Sequence, residues 1–242
     1  MLNVKNVKNV IWDKDGTLID VHIYWSEIIR RRANEIVKKY NLNYALYTDI
    51  CKMLGLDVDN GRLLQEGPVG VLSRYEILEK LHIYLLDQGV NSNMNINELI
   101  FNVVHSEFKP FMYNYVKLLP CIKDTLDKFH QQGIRQYIIT SDTSENAKSI
   151  ADYLGIIKYF KKIWGKDEVR VPKKTGVPAL KLMEEENLES KETICIGDTK
   201  MDFDMAKNSN CRCVLVATGQ IPRNVLAQYT DAVNNVSEIL LN

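Results

Sequence analysis

The sequence predicts an α/β protein, a parallel sheet core into which an all-helical domain is inserted. Three observations carry that expectation. Short apolar runs alternate with helical patterns, as in a sheet built from β-α-β units. Three of those runs stop at residues suited to phosphate or metal. One stretch, residues 21–113, shows helix after helix and no convincing strand. The 242 residues, 45% of them hydrophobic, suffice for a core domain with an insert.

Taken in order, the first strand is residues 9–12, and it runs into "VIWDKDGTLID" (10–20), which sets Asp13 and Asp15 at the mouth of an apolar run. Within the insert, Trp25, Ile28, Ile29, Ala33, Ile36, Val37 and Tyr40 recur at helical spacing, with Ser26 near the start as a cap. Further helices fit 75–86 and 96–107. The acidic run from Asp57 to Gly61 looks calcium-like but lacks the rest of a twelve-residue binding loop, so it reads as a loop. Beyond the insert, strands fit 136–140, 193–196 and 212–217, with a weaker one at 161–164. Helices at 123–130, 145–153, 179–186 and 201–208 separate them, and Gly133, Gly155 and Gly165 fall where elements should stop. The expected division is a core of 1–20 with 114–242, and an inserted domain of 21–113.

Composition narrows the function classes. Lys+Arg and Asp+Glu both total 31, and this zero net charge gives no cationic surplus for a phosphate backbone. Arg30, Arg31 and Arg32 read as the solvated face of a helix. The N-terminus is polar and lacks the apolar region of a signal peptide, and no run is long enough for a membrane span. The five cysteines are scattered without zinc-type spacing, and Cys195 sits inside an apolar run. These features fit a reduced, cytoplasmic protein with no nucleic-acid or membrane partner, monomeric or homodimeric.

The strand ends point to the chemistry. Asp13, then Thr140-Ser141-Asp142, then Gly197-Asp198 each follow an apolar strand. Each alone is an ordinary turn sequence. In an open parallel sheet, however, ligands bind beyond the carboxyl ends of the strands, so the three would meet in one place.

The order Asp-x-Asp-Gly-Thr, strand-end Thr, Lys, Gly-Asp-x-x-x-Asp resembles the haloacid-dehalogenase-like superfamily over essentially the whole chain. "DKDGTL" (13–18) is similar to its first motif, "IIT" (138–140) to its second and "GDTKMD" (197–202) to its fourth. The helical insert resembles the family's type-1 cap, and 116–134 resembles the return to the core, with Cys121 where relatives often carry glycine. The resemblance implies a Rossmann-like core and the phosphoglycolate phosphatase or beta-phosphoglucomutase-like branch.

It also implies roles. Asp13 would attack phosphorus and form an aspartyl-phosphate. Mg²⁺ would neutralise charge, held by Asp13, Asp198 and the backbone carbonyl of Asp15. The side chain of Asp15, left free, would act as general acid and base. Gly16 would turn the chain and expose N–H groups to phosphate. Thr140 and Ser141 would meet the transferred group. Asp202 would hold metal-bound water or cap its helix, two roles left open. The third motif commonly reads Lys-Pro, whereas this chain has "VRVPKKTGVPAL" (169–180). Spacing from both sides favours Lys173, with Lys174 in reserve.

Aspartate two places after the nucleophile favours phosphatase or phosphomutase chemistry over dehalogenation. The expectation is a phosphatase acting on a small phosphorylated metabolite. A hexose-phosphate mutase is the alternative, with a non-catalytic phosphate-binding module ranked below it. Substrate choice would fall to the cap, where 65–76 is the most loop-like stretch and Arg74 could meet a carboxylate or sugar hydroxyls, although an exposed helix arginine is the commoner fate. His22, Tyr24 and Trp25 read as packing or hinge residues.

Overall fold

The structure is a computed structural model that describes residues 1–65 and 67–241; Glu66, in the loop-like stretch 65–76, lies outside them. The chain divides into two compact units, Met1–Asp20 with Lys117–Asn242, and Val21–Val116.

The elements run as follows. β1 (Leu2–Val4) and β2 (Asn9–Trp12) open the first unit. The second unit then supplies α1 (Val21–Lys39), α2 (Ala45–Met53), β3 (Leu56–Asp57), β4 (Arg62–Leu63), α3 (Arg74–Asp87) and α4 (Met94–Phe108). The chain returns through α5 (Ile122–Gln131), β5 (Arg135–Ile139), α6 (Ser144–Tyr153), β6 (Phe160–Trp164), α7 (Val177–Glu186), β7 (Thr193–Gly197), α8 (Lys200–Asn208) and β8 (Arg212–Val216). It closes with α9 (Arg223–Leu226), β9 (Ala232–Val233) and β10 (Ile239–Leu241).

In the first unit, six parallel strands are ordered β6-β5-β2-β7-β8-β9, with β2 near the centre between β5 and β7. Every residue of β2 is buried, because helices cover both faces of a parallel sheet; Val10, Ile11 and Trp12 are apolar, and the Asn9 amide donates to Thr193 Oγ1 at 3.2 Å. Alternation along the strands sorts the two faces. Ile11, Tyr137, Ile139 and Cys195 pack with Ala179, Leu182 and Met183 of α7 and with Met205 and Ala206 of α8. On the other side Trp12 stacks on Phe129 of α5 at 6.0 Å between ring centroids. Its indole N–H donates to Gln136 Oε1 at 3.1 Å, and Gln136 Nε2 donates to the Leu126 carbonyl at 3.0 Å, so the buried polar groups of this layer are satisfied. β1 and β10 form a separate two-stranded parallel ladder.

The second unit is helical around one core. Ile29, Ala33, Ile36 and Val37 of α1, Leu78, Leu81 and Leu85 of α3, and Ile100, Phe101 and Val104 of α4 are buried at three- and four-residue spacing. Ser73 caps α3, with a reciprocal capping box to Glu76.

Three expectations are corrected. The insert is not all-helical: β3 and β4 pair as a short antiparallel hairpin. The calcium-like run is its turn, where Asp57 Oδ1 accepts from the backbone N–H groups of Asp59 and Asn60. Ser26 is no cap, since α1 begins five residues earlier and the Ser26 hydroxyl instead donates to the His22 carbonyl within the helix. The second unit extends to Val116 rather than to 113, because the 3₁₀ turn Lys109–Tyr115 carries on from α4 and buries Met112.

Candidate active site

Register brings the strand ends together. Trp12 lies opposite Ile138 on one side and Ile196 on the other, so the residues that follow emerge side by side. The Asp13 N–H donates to the Ile196 carbonyl at 2.8 Å, which carries the ladder one residue past β2 and fixes the direction of the Asp13 side chain. The chain then folds into a loop. Gly16 takes φ +87°, a left-handed conformation that a side chain would strain, and the N–H groups of Leu18 and Ile19 both return to the Lys14 carbonyl. Thr218, after β8, donates its hydroxyl to the Gly16 carbonyl at 2.6 Å.

Asp13, Asp198 and Asp202 each offer a carboxylate oxygen, and these oxygens lie within 4.8 Å of one another, so the trio could hold a metal ion. All three are buried. Lys173 enters the group from the 3₁₀ turn before α7, with its Nζ 2.5 Å from Asp13 Oδ1 and 2.6 Å from Asp202 Oδ1. Lys174 is exposed, and only its backbone is engaged, accepting from Asn208 Nδ2 at 2.8 Å. Of the two lysines left open by the sequence, the structure brings Lys173 to Asp13.

Three buried carboxylates share this one ammonium. Burial is the main force raising the Asp13 carboxyl to about 7, opposed by Lys173 and assisted by the charges of Asp202 and Asp15. Burial likewise pushes Asp198 well above the usual carboxylate range, with Asp13 and Asp202 adding to it. For Lys173, burial works against the charge, but Asp13 and Asp202 overcome it and hold the ammonium above its ordinary range. The group is two negative charges in excess when ionised, which is the donor chemistry a hard divalent cation fits. Glycines make the space: a Cβ on Gly16 or Gly219 would overlap the Asp198 carboxylate, and one on Gly197 would overlap that of Asp202.

Asp15 departs from the expectation of a free side chain. Lys14 Nζ, buried, lies 2.8 Å from Asp15 Oδ1 and 3.2 Å from Asp142 Oδ2, while Asn146 Nδ2 donates to the same Asp142 oxygen at 2.6 Å. Burial opposes the Lys14 charge, yet Asp15 and Asp142 hold the ammonium above its ordinary range. The carboxylate trio also contains Asp202 where the sequence named the backbone of Asp15 as the third ligand. Asp202 does two things at once: Oδ2 accepts from the N–H (3.0 Å) and hydroxyl (2.7 Å) of Thr199, capping α8, and Oδ1 holds Lys173. Thr140 is buried, and its hydroxyl oxygen accepts from the Asp142 N–H at 3.2 Å. Ser141 is exposed, with its hydroxyl 3.7 Å from the Met201 sulfur.

Sequence reasoning missed Lys14, Thr17 and Thr218, and it named Asp142 at a strand end without giving it a role of its own. Thr17 donates to Asp198 Oδ1 at 3.3 Å. The signal for Lys14 was its place between two aspartates in a buried run, where an unpaired ammonium would be costly.

Comparison with known proteins identifies the family. The family model for haloacid dehalogenase-like hydrolases matches residues 62–216, more than half of the chain. The chain belongs to that family. The matched segment begins beyond Asp13, so the loop at 13–19 is assigned by its position in the fold. A phosphoglycolate phosphatase from Vibrio parahaemolyticus is 34% identical over 94 residues, which is 39% of this chain and only 41% of that relative's length. Among solved structures, a chain from Bacteroides fragilis assigned to the haloacid dehalogenase-like hydrolases superposes with a TM-score of 0.71 at 18% identity, covering 96% of this chain and 99% of that one. A Thermotoga maritima chain assigned as a beta-phosphoglucomutase gives 0.66 at 20% identity, covering 95% and 94%. At such identities the likeness speaks for the haloacid dehalogenase-like fold alone. Among the described residues, no helix is long and apolar enough to cross a membrane.

Proposed function

We propose that this haloacid dehalogenase-like protein is a Mg²⁺-dependent phosphatase of small phosphomonoesters, with Asp13 as its nucleophile. The observation that carries the reading is the Asp13 carboxylate at the end of a central strand, with one oxygen on Lys173 and the carboxylates of Asp198 and Asp202 beside it. The phosphoglycolate phosphatase among the relatives supports a small phosphorylated acid as substrate.

The residues divide the work. Asp13 attacks phosphorus and the ester oxygen leaves, taking a proton from Asp15. Asp15 then removes a proton from water, which attacks the aspartyl-phosphate and releases phosphate. Lys14 holds Asp15 in place through both halves. Lys173 draws charge from the nucleophile and the transferred group. Thr140 and Ser141, at the end of β5, and the N–H groups around Gly16 bind phosphoryl oxygens. Asp13 and Asp198, with the backbone carbonyl of Asp15, would hold Mg²⁺, which would supply the positive charge that lets two anions approach. Asp202 serves by anchoring Lys173 and α8.

The test is phosphate release from a panel of phosphorylated metabolites scored by kcat/KM, including phosphoglycolate and β-glucose 1-phosphate. Turnover of phosphoglycolate without any bisphosphate is expected. A requirement for a bisphosphate would indicate a mutase, and no release from any ester would overturn the enzymatic reading.

Two further outcomes follow from the buried charges. Asp13 titrates near 7 when folded and near 4 when unfolded, so the folded state binds the extra proton between those values. Stability in chelator is therefore expected to fall as pH rises from about 4 to about 7. Saturating Mg²⁺ competes with that proton, so it should restore stability at pH 7.5, by about 3 kcal/mol at a hundredfold excess over Kd, and do little at pH 5. Thermal unfolding across pH with and without Mg²⁺ measures this, and indifference to Mg²⁺ at pH 7.5 would contradict the metal assignment.

For the two lysines, Lys173→Ala is expected to lower kcat by about one to two decades and Lys174→Ala to leave it nearly unchanged, since a charge-assisted contact is worth roughly 1.5–3 kcal/mol. Steady-state kinetics of both variants decides it. A slower Lys174→Ala enzyme would move the role to the neighbouring lysine.

A further inference from the structure

The helical unit contains a half-buried arginine whose Nε meets no acceptor among the described residues. Arg32 lies on α1, its Nε is shielded from solvent, and that nitrogen has no hydrogen-bond partner. The contacts of its cation are ring faces: Phe101 at 4.0 Å and Trp25 at 5.9 Å from the guanidinium carbon. Arg74, at the start of α3, reaches the same Phe101 ring at 5.8 Å. The two guanidinium carbons are thus no farther apart than the sum of their distances to that ring. Arg74 is itself held by neutral groups, donating to Asn102 Oδ1 at 2.7 Å and to the Glu98 carbonyl at 3.4 Å.

Three other cations on α1 have partners. Arg31 pairs with Glu27 at 2.7 Å, Lys38 with Glu35 at 2.7 Å, and Arg30 donates to the Val58 carbonyl at 3.2 Å. Arg32 has no such partner. Burial, reinforced by the positive charge of Arg74, pulls its guanidinium down to about 10. A long basic side chain that merely lays its stem along apolar surface keeps its charged head in water, and here the Nε of that head is shielded. The Phe101 face offsets part of the cost of an unpaired charge but offers no lone pairs to the five N–H donors. A planar oxyanion supplies what is lacking, two acceptor oxygens that match the guanidinium fork and a negative charge near two positive ones.

We propose that Arg32 and Arg74, set around the Phe101 ring, form an oxyanion site in the helical unit that takes the carboxylate or phosphate group of a small organic acid. The site is built from residues of that unit alone, so it stands or falls independently of the phosphatase reading.

The experiment titrates the full-length protein, in chelator, separately with glycolate, with inorganic phosphate, with chloride at matched ionic strength and with neutral ethylene glycol. Thermal unfolding is followed together with the arginine Nε–H resonances, among which that of Arg32 is identified by its loss in Arg32→Lys. Saturable stabilisation by glycolate or phosphate, accompanied by movement of the Arg32 resonance, is expected, and the anion with the lower Kd identifies the group the site takes. Arg32→Met should weaken that binding by at least about tenfold. Without anion it should be as stable as the parent or more so, because an unpaired buried charge has been removed. Arg74→Met gives an independent reading and should weaken binding as well. Stabilisation equal in the parent and both variants, stabilisation matched by chloride, or an Arg32 resonance unmoved by either anion would overturn the proposal.

Discussion

Asp13→Asn is expected to abolish phosphatase turnover while leaving the fold intact. The amide has nearly the shape of the carboxylate but is a very poor nucleophile, and loss of a nucleophile that forms a covalent intermediate costs on the order of 10⁶ in kcat. The structure gives a reason to expect an intact fold. Burial, assisted by the charges of Asp202 and Asp15, raises the Asp13 carboxyl to about 7, so removing its charge removes a cost. Lys173 keeps its second partner, Asp202, at 2.6 Å. The variant should therefore melt no lower than the parent, and a paired measurement of Tm and kcat separates loss of chemistry from loss of structure. Substantial turnover in a folded Asp13→Asn protein would remove Asp13 from the role proposed for it.

Most of this site was legible in the sequence because its residues obey a local rule. Asp13, Thr140 and Asp198 each follow an apolar run, and parallel pairing turns that shared property into proximity. Lys173 was legible only as one of two adjacent lysines. What separates it from Lys174 is the direction each side chain takes from a 3₁₀ turn, which depends on the packing of that turn rather than on residue type. Lys14 was missed for a different reason. Its partners Asp15 and Asp142 lie on separate loops, and a lysine beside an aspartate ordinarily reads as a solvated pair. Of the two roles the sequence posed for Asp202, the structure shows the cap on α8 through one carboxylate oxygen, while the other oxygen holds Lys173, a role the sequence did not pose.

Besides the nine-residue helix α2, the elements missed were the short ones. β9 has two residues, β1 and β10 three each, and the β3–β4 hairpin two on each side, too few for alternation to register. The three consecutive arginines on α1 read as a solvated face, yet Arg32 turns to Phe101 while Arg31 pairs with Glu27. Helical spacing places successive residues about 100° apart, so a run of like residues is divided among several faces.

The second large effect belongs to Asp15, and it tests the central claim, that phosphoryl transfer passes through Asp13 with Asp15 moving the protons. Asp15→Asn keeps the nucleophile, so a substrate with a good leaving group, such as an aryl phosphate, can still be attacked without an acid. The second half-reaction has no such escape, because the water must lose its proton, and general acid–base assistance is worth about 10²–10⁴-fold. Lys14 retains Asp142 at 3.2 Å, so the loop that carries the substitution should hold its position. The measurement is to mix Asp15→Asn protein with an aryl phosphate and Mg²⁺, quench, and weigh the intact protein and its fragments. The account predicts a burst of one phenol per protein and a single phosphoryl group on the peptide containing Asp13; steady turnover without a burst, or a phosphoryl group on any other residue, would contradict it.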